Sequence, residues 1–579
     1  MALAEASSKA RVIMIGTRVE GRLAVGRRLL VPPLWPTRVD RVTIARRSHD
    51  RRHGRVTRLP YRRGMSDDGP MRPLTPALWH RRAVLGAMAA LSAVPTIPVD
   101  AAARGDADPF ALGVACGDPD ADGFVLWTRL VGARAQPLAA AAIVVRYEIA
   151  EDEGFRRIVR AGRGVAHPER AHAVHVEITG LPSGRRYFYR FHALGATSPV
   201  GRALTVPLRA DRLRLAVSSC QHWEQAQFGA YRDMIAADPD LILQLGDYIY
   251  ESSYPSGEKV RQFDAPEPQD LDGYRRRHAL YKTDPLLQAA HRACPWVVTW
   301  DDHEVLNDYA GLANREGLPP ALFAPRRAAA YRAYFEHMPI RPSLWRGRQA
   351  PRLYRAVDWA DLASISVLDT RQYRSAPPCA AHYVARNEPI ENCAAATAPG
   401  RSMMGAAQER WLGDRLASER RPWSLIAQQV FFAPLWLDGA RRRTFSDQWD
   451  GYAANRTRLL TAMQAPSVRN PLLLSGDIHS FWVNDLNDEA GNIVAGEIVT
   501  SALGASSPPP DRFGDVDANN PHIRFHDLQH AGWTRIDINR TKTCVALRAI
   551  TDRKLAEAPC RTISTFVTEA GHRGMLSAD

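Results

Sequence analysis

Leu241-Ile242-Leu243-Gln244-Leu245-Gly246-Asp247-Tyr248-Ile249-Tyr250-Glu251 is the stretch on which the reading of the fold turns. A short apolar run is closed by a glycine and followed at once by carboxylates and phenols. The same grammar recurs elsewhere. Leu213–Val217 leads into Ser219-Cys220-Gln221-His222, and Trp296–Trp300 into Asp301-Asp302-His303-Glu304, with Asn307 and Asp308 beyond. Leu472–Leu474 leads into Ser475-Gly476-Asp477-Ile478-His479. Two further apolar runs, Ile365–Leu368 and Leu425–Val430, and helix-like pieces at Gln227–Ala237, Pro325–His337 and Gln408–Glu419 lie among them. Short buried strands alternating with helices indicate an α/β region, and such sheets build their sites outside the carboxyl ends of the strands. Clusters spread from residue 220 to residue 479 can therefore converge. A single Asp after a Gly is ordinarily a turn or cap residue; four such clusters in one chain point to chemistry.

The donors sort by softness. Cys220, Tyr250 and His479 offer a thiolate, a phenolate and an imidazole, which suit a transition metal; thiolate with phenolate suits a trivalent iron. Asp247, Asp301, Asp302, Asn307 and Asp477 offer the oxygens preferred by Ca²⁺ or Mg²⁺. Asp247 stands between the sets and can bridge them. Mixed multinuclear sites of this kind hydrolyse phosphate esters by polarising phosphoryl oxygens and lowering the pKa of a bound water. Neither a G-x-S-x-G nucleophile motif nor a P-loop occurs.

Upstream the texture changes. From Phe110 to about Pro207, short alternating runs at 123–127, 142–149, 173–178 and 187–193 are separated by turn signals such as Leu181-Pro182-Ser183-Gly184. They predict a small β-sandwich of fibronectin or immunoglobulin type. Earlier still, Arg81-Arg82 precedes the apolar stretch Ala83–Val94 and the small residues 99–103, the order of an export signal. The twin arginines point to the Tat machinery and to a periplasmic or extracellular destination. Met65 and Met71 are well placed to start it. No other segment reaches 18 consecutive apolar residues, so no permanent membrane span is expected.

The 579-residue chain carries a net charge of +14, which at face value suggests an acidic partner. Residues 1–64, however, hold fifteen arginines and Lys9 against four acids, a net +12. The remainder is nearly neutral, so no nucleic-acid partner is expected. The expected divisions are 1–64, a basic arm or sequence upstream of the true start; 65–103, the signal; 104–208, the sandwich; and 209–579, the α/β domain. Of seven cysteines, Cys379 with Cys393 and Cys544 with Cys560 each flank a short loop and are candidate disulfide pairs.

These strings resemble the alkaline phosphatase D (PhoD-like) family of the metallophosphatase superfamily. The resemblance rests on residues 113–119, 219–221, 246–251, 300–305, 368–374, 408–412, 449–452 and 475–479, in family order along the whole chain after the signal. It implies a four-layer α/β/β/α catalytic domain behind the β-sandwich, and one Fe³⁺ with two Ca²⁺. Carried over, Cys220, Asp247, Tyr250 and His479 would hold iron, and Asp247, Asp302 and Asp477 calcium. Asp301 and Asn307 would be ligands or orient them. His303 would serve the phosphate as proton donor or transition-state stabiliser. Arg371 is read either as a phosphate clamp or as an ion-pair partner of Asp369. Cys116 and His222 are read as packing residues, and Asp308, where the family more often has Asn, has a doubtful role. The implied activity is phosphoric ester hydrolysis through a metal-bound oxygen nucleophile, by a monomer acting on monoesters and possibly diesters. The competing readings are an extracellular phosphodiesterase, like phospholipase D-like enzymes, acting on phospholipid or cell-wall polymer, and a non-catalytic binding protein.

Overall fold

A computed structural model describes residues 108–132, 138, 140–254, 258–345, 350–379 and 389–578. The arm and signal expected over 1–103 lie outside these residues. Two sheets stack at the centre of the molecule. One has ten strands, in the order 576–577, 560–569, 542–550, 532–539, 212–218, 241–244, 296–298, 114–117, 124–129, 173–178. The other has seven, in the order 355–359, 363–367, 423–427, 471–475, 493–499, 481–487, 523–527. In the first, 212–218, 241–244 and 296–298 run parallel; in the second, 363–367, 423–427, 471–475 and 493–499 do.

Strand alternation divides the residues between layers. Leu215, Val217 and Leu243 point inward and pack with Ile365, Val367, Leu425 and Leu474 from the facing sheet. Their neighbours Ala216 and Ile242 point outward, beneath the helices Ala230–Ala236, Leu271–Lys282, Pro285–Ala293 and Pro320–His337. On the far side, Ile426 and Leu473 meet the helices Gly405–Ser418 and Ala453–Met463. The layers are therefore α/β/β/α, as the resemblance implied. Asp284 caps the helix Pro285–Ala293, its Oδ1 accepting the N–H groups of Leu286 and Leu287 at 3.0 Å, with Pro285 at the first helical position. Among the described residues no helix is long and apolar enough to cross a membrane.

The N-terminal β-sandwich pairs one leaf, containing strands 143–150, 158–166, 186–193 and 201–204, with strands 114–117, 124–129 and 173–178. Those last three are also the end of the ten-stranded sheet, because Gly117 pairs in parallel with Trp296. The division expected at residue 208 thus falls within one continuous sheet. Ion pairs pin the join: Arg355 to Asp118 at 2.7 Å and Arg341 to Glu177 at 2.7 Å.

Cys379 and Cys393 form a disulfide, as expected. Cys544 and Cys560 are free. The strand register opposes Cys544 to Val567 and Ile550 to Cys560, which sets the two cysteines roughly 20 Å apart along the ladder and excludes the expected pair. Cys116 is fully buried in the sandwich core, consistent with packing.

Candidate active site

The parallel strands all end at the same edge, and the expected side chains meet there. One oxygen of Asp247, Cys220 Sγ and a ring nitrogen of His479 lie within 4.8 Å of one another. So do donor atoms of Asp247, Asp302 and His303, and of Asp301, Asp302 and Asp477. Tyr250 joins the first group, its O–H donating to Asp247 Oδ2 at 3.0 Å and its oxygen standing 2.8 Å from His479 Nε2. Asp247 is common to the soft and the hard sets.

The backbone accepts unusual conformations to achieve this. Cys220, Asp247, Asp477 and His479 have φ of +57°, +54°, +70° and +54°, a region costing about 1–3 kcal/mol for residues with a side chain. Such strain persists where the surroundings over-determine it, and Glu304 is part of that determination. Its carboxylate accepts the N–H groups of Tyr248 at 2.6 Å, Asp301 at 2.9 Å and Asp247 at 3.1 Å, tying two strand ends together. Gly246, at φ +121°, allows the same approach: a Cβ there would lie 2.4 Å from Asp301 Cβ.

Second partners orient the donors. His479 Nδ1 is 2.9 Å from Ser506 O, so the bond to this carbonyl puts the proton on Nδ1 and leaves Nε2 a lone pair facing the cluster. His303 Nδ1 is 2.6 Å from Glu251 Oε2, and its Nε2 is 2.8 Å from the hydroxyl of Tyr254. Asn307 enters through its backbone, donating to Glu251 Oε1 at 2.8 Å. Asp308 donates its N–H to Asp302 Oδ2 at 2.6 Å and pairs with Arg315 at 3.3 Å. His222 lies outside these groups, stacked on Tyr254 at 4.9 Å, with Nδ1 accepting Glu224 N–H.

Arg371 is wholly buried, and its side chain makes no contact with Asp369, which instead accepts the backbone N–H groups of Arg371 and Gln372. The guanidinium bonds to Asp301 through Nε, to Asp447 through Nη1 at 2.9 Å and to Asp477 through Nη2 at 3.3 Å. Nη2 also stands 3.2 Å from Asp302 Oδ1. Asp447 and Gln448, which donates to Asp477 Oδ2 at 2.6 Å, are site residues that the sequence reading passed over. Their signal was present: they directly precede the family string Trp449-Asp450-Gly451-Tyr452.

The electrostatics describe a site short of positive charge. Burial and the neighbouring carboxylates push the acids of Asp247 and Asp477 well up, and burial brings Asp301 to about 6 despite Arg371. Burial alone would raise Asp302 too, but Arg371, His303 and the Asp308 N–H outweigh it and hold the carboxyl at about 2. Glu304, buried beside Asp301, rises to about 8. Burial disfavours charge on His303, yet Glu251, Asp247 and Asp302 together lift its imidazole well above the ordinary value. Buried carboxylates this close are tolerated where cations neutralise them, so these groups are suited to holding metal ions.

Comparison with known proteins identifies the family. Residues 215–547 match the PhoD-like phosphatase family, and residues 96–207 match the N-terminal domain of PhoD-like phosphatases. The chain is 37% identical over 497 residues to alkaline phosphatase D of Bacillus subtilis (strain 168), covering 82% of this chain and 84% of the relative. It superposes on a solved structure of PhoD with a TM-score of 0.77 at 36% identity, covering 83% of this chain and 94% of the other. The match runs through both the sandwich and the catalytic layers, and the chain belongs to the PhoD-like phosphatase family.

Proposed function

We propose that this phosphatase is an exported, metal-dependent enzyme that hydrolyses phosphate monoesters with one Fe³⁺ and two Ca²⁺. The observation that carries the reading is the sorting of donors about Asp247. Thiolate, phenolate and imidazole donors gather on one side of it, and the carboxylates of Asp301, Asp302 and Asp477 on the other. The first set, Cys220, Asp247, Tyr250 and His479, has the chemistry of an iron site, and Asp247, Asp301, Asp302, Asp477 and Asn307 that of calcium. Bound there, the ions supply positive charge to the phosphoryl oxygens and acidify water.

The chain's own residues do the rest. Glu251 holds the His303 imidazole by Nδ1, and Nε2, once released from the Tyr254 hydroxyl, can protonate the departing oxygen. Glu304 keeps the ligand-bearing turns together. Asp308 N–H and Arg371 keep Asp302 ionised. Export by the twin-arginine route rests on Arg81-Arg82 and the apolar stretch after them.

Metal analysis of the purified protein, with chelator-sensitive hydrolysis of aryl phosphate monoester against diester, tests the reading. One iron and two calcium per chain, a visible tyrosinate–iron band and faster monoester turnover are expected. Asp302→Ala should abolish calcium binding and most turnover. Full activity after complete metal removal would overturn the proposal, and a preference for diester would shift it to the phosphodiesterase reading.

A further inference from the structure

Four carboxylates, those of Asp301, Asp302, Asp447 and Asp477, crowd one corner of the site, with side-chain exposures of 2%, 3%, 4% and 14%. Three of them offer oxygens within 4.8 Å of one another. Repulsion at that spacing is strong wherever water is excluded. Into this corner projects Arg371, with every one of its three nitrogens committed to a carboxylate and its side chain 0% exposed. Of the other cations, Arg374 reaches only Asp447, at 2.7 Å, and His303 stands beside Asp302 alone of the four. The guanidinium is itself held from behind, since Asp369 fixes the backbone of residues 371 and 372. Its planar fork satisfies several acceptors at once and cannot lose its charge, neither of which a lysine could match.

We propose that Arg371 is a permanent internal cation that holds the carboxylate cradle in its ligating arrangement when no metal ion is present. It acts as a positioning residue, through Asp301, Asp302, Asp447 and Asp477. The inference deepens the metal-dependent reading above and rests on it for the identity of the cradle.

The test compares apparent melting temperatures of the full chain in excess chelator and in saturating calcium, for wild type, Arg371→Met, Arg371→Lys and the double variant Arg371→Met/Asp301→Asn. Removing one partner of a buried charge group is strongly destabilising, so Arg371→Met should melt about 4 °C lower than wild type in chelator. Calcium should shrink that gap to a third or less, because the ion takes over the neutralisation. The double variant, having one carboxylate fewer, should regain at least half of the loss, and Arg371→Lys should fall between wild type and Arg371→Met. An equal loss with and without calcium marks a merely structural arginine and overturns the proposal. So does the absence of recovery in the double variant. Unchanged stability in chelator, with a raised KM for aryl phosphate and weakened inhibition by inorganic phosphate, also overturns it and makes Arg371 a phosphate contact. If Arg371→Met does not fold, the Arg371→Lys loss and its response to calcium decide the matter by the same criteria. Failure of calcium to stabilise the wild type would remove the calcium reading alone, since the comparison in chelator still decides the role of Arg371.

Discussion

His303 is anchored on one nitrogen by Glu251, while the phenol of Tyr254 covers the other. His303→Gln should therefore lower kcat about 100-fold or more, the usual worth of a positioned proton donor, with metal content unchanged; parallel loss of metal would assign the residue to ligation instead. Tyr254→Phe keeps the ring stacked on His222 but frees the outward nitrogen. One hydrogen bond fewer to displace should lower KM about fivefold with kcat nearly constant. A steady-state comparison on aryl phosphate checks this, and a fall in kcat would show that the hydroxyl takes part in turnover. At this scale the sequence was informative wherever a polar residue followed an apolar run: Cys220, Asp247, Tyr250, Asp302, Asp477 and His479 all assemble. Asp447, Gln448, Tyr254 and Ser506 come from irregular segments, where no period marks which way a side chain will point.

Among elements, the turns after the strands carry the most stringent demands. Gly246→Ala would bring a methyl group against Asp301, to 2.4 Å from its Cβ and 2.7 Å from its backbone nitrogen, at a φ that alanine resists. The strand ends must then part, and Glu304 cannot keep all three of its N–H donors. The expected outcome is a loss of about 4 kcal/mol or more, read as a lowered melting temperature together with substoichiometric metal; a fully metallated variant of wild-type stability would show that the close approach is unnecessary. The parallel strands were legible because both their faces are buried, which makes them continuous apolar runs. The antiparallel strands 532–539, 542–550 and 560–569 alternate polar and apolar residues and drew no attention beside them. The helix Leu271–Lys282 was hidden for another reason. Its buried face includes Arg277, His278 and Lys282, so the pattern of charges contradicts the pattern of burial.

On the scale of the whole molecule, His278 and Lys282 of that helix belong to a file of buried bases between the sandwich and the helices behind it. Arg129 Nη1 is 2.6 Å from His337 Nε2, His337 stacks on His278 at 4.9 Å, and Lys282 Nζ is 3.0 Å from His291 Nε2 and 4.4 Å from the centre of the Trp127 ring. Tyr248 also bonds to His291. Burial drives the Lys282 ammonium well below its ordinary value of 10.5, and holds His278, His291 and His337 well below theirs. Between its lowered folded value and 10.5, Lys282 carries its proton in the unfolded chain and not in the folded one, so its own contribution to stability rises with pH across that window. Lys282→Met should raise the melting temperature at pH 7, and its advantage over wild type should shrink between pH 7 and pH 10; an advantage that does not change with pH would mean that the ammonium stays charged inside. The shared sheet has a last consequence, for modularity. Strand 114–117 covers the flank of strand 296–298, whose continuation bears Asp301, Asp302 and His303. Expressed without its sandwich, the catalytic region would present that flank as a bare edge ready to recruit strands from other molecules. The sandwich is thus no detachable accessory: a phosphatase that lost it in the course of evolution would face aggregation before it faced inactivity.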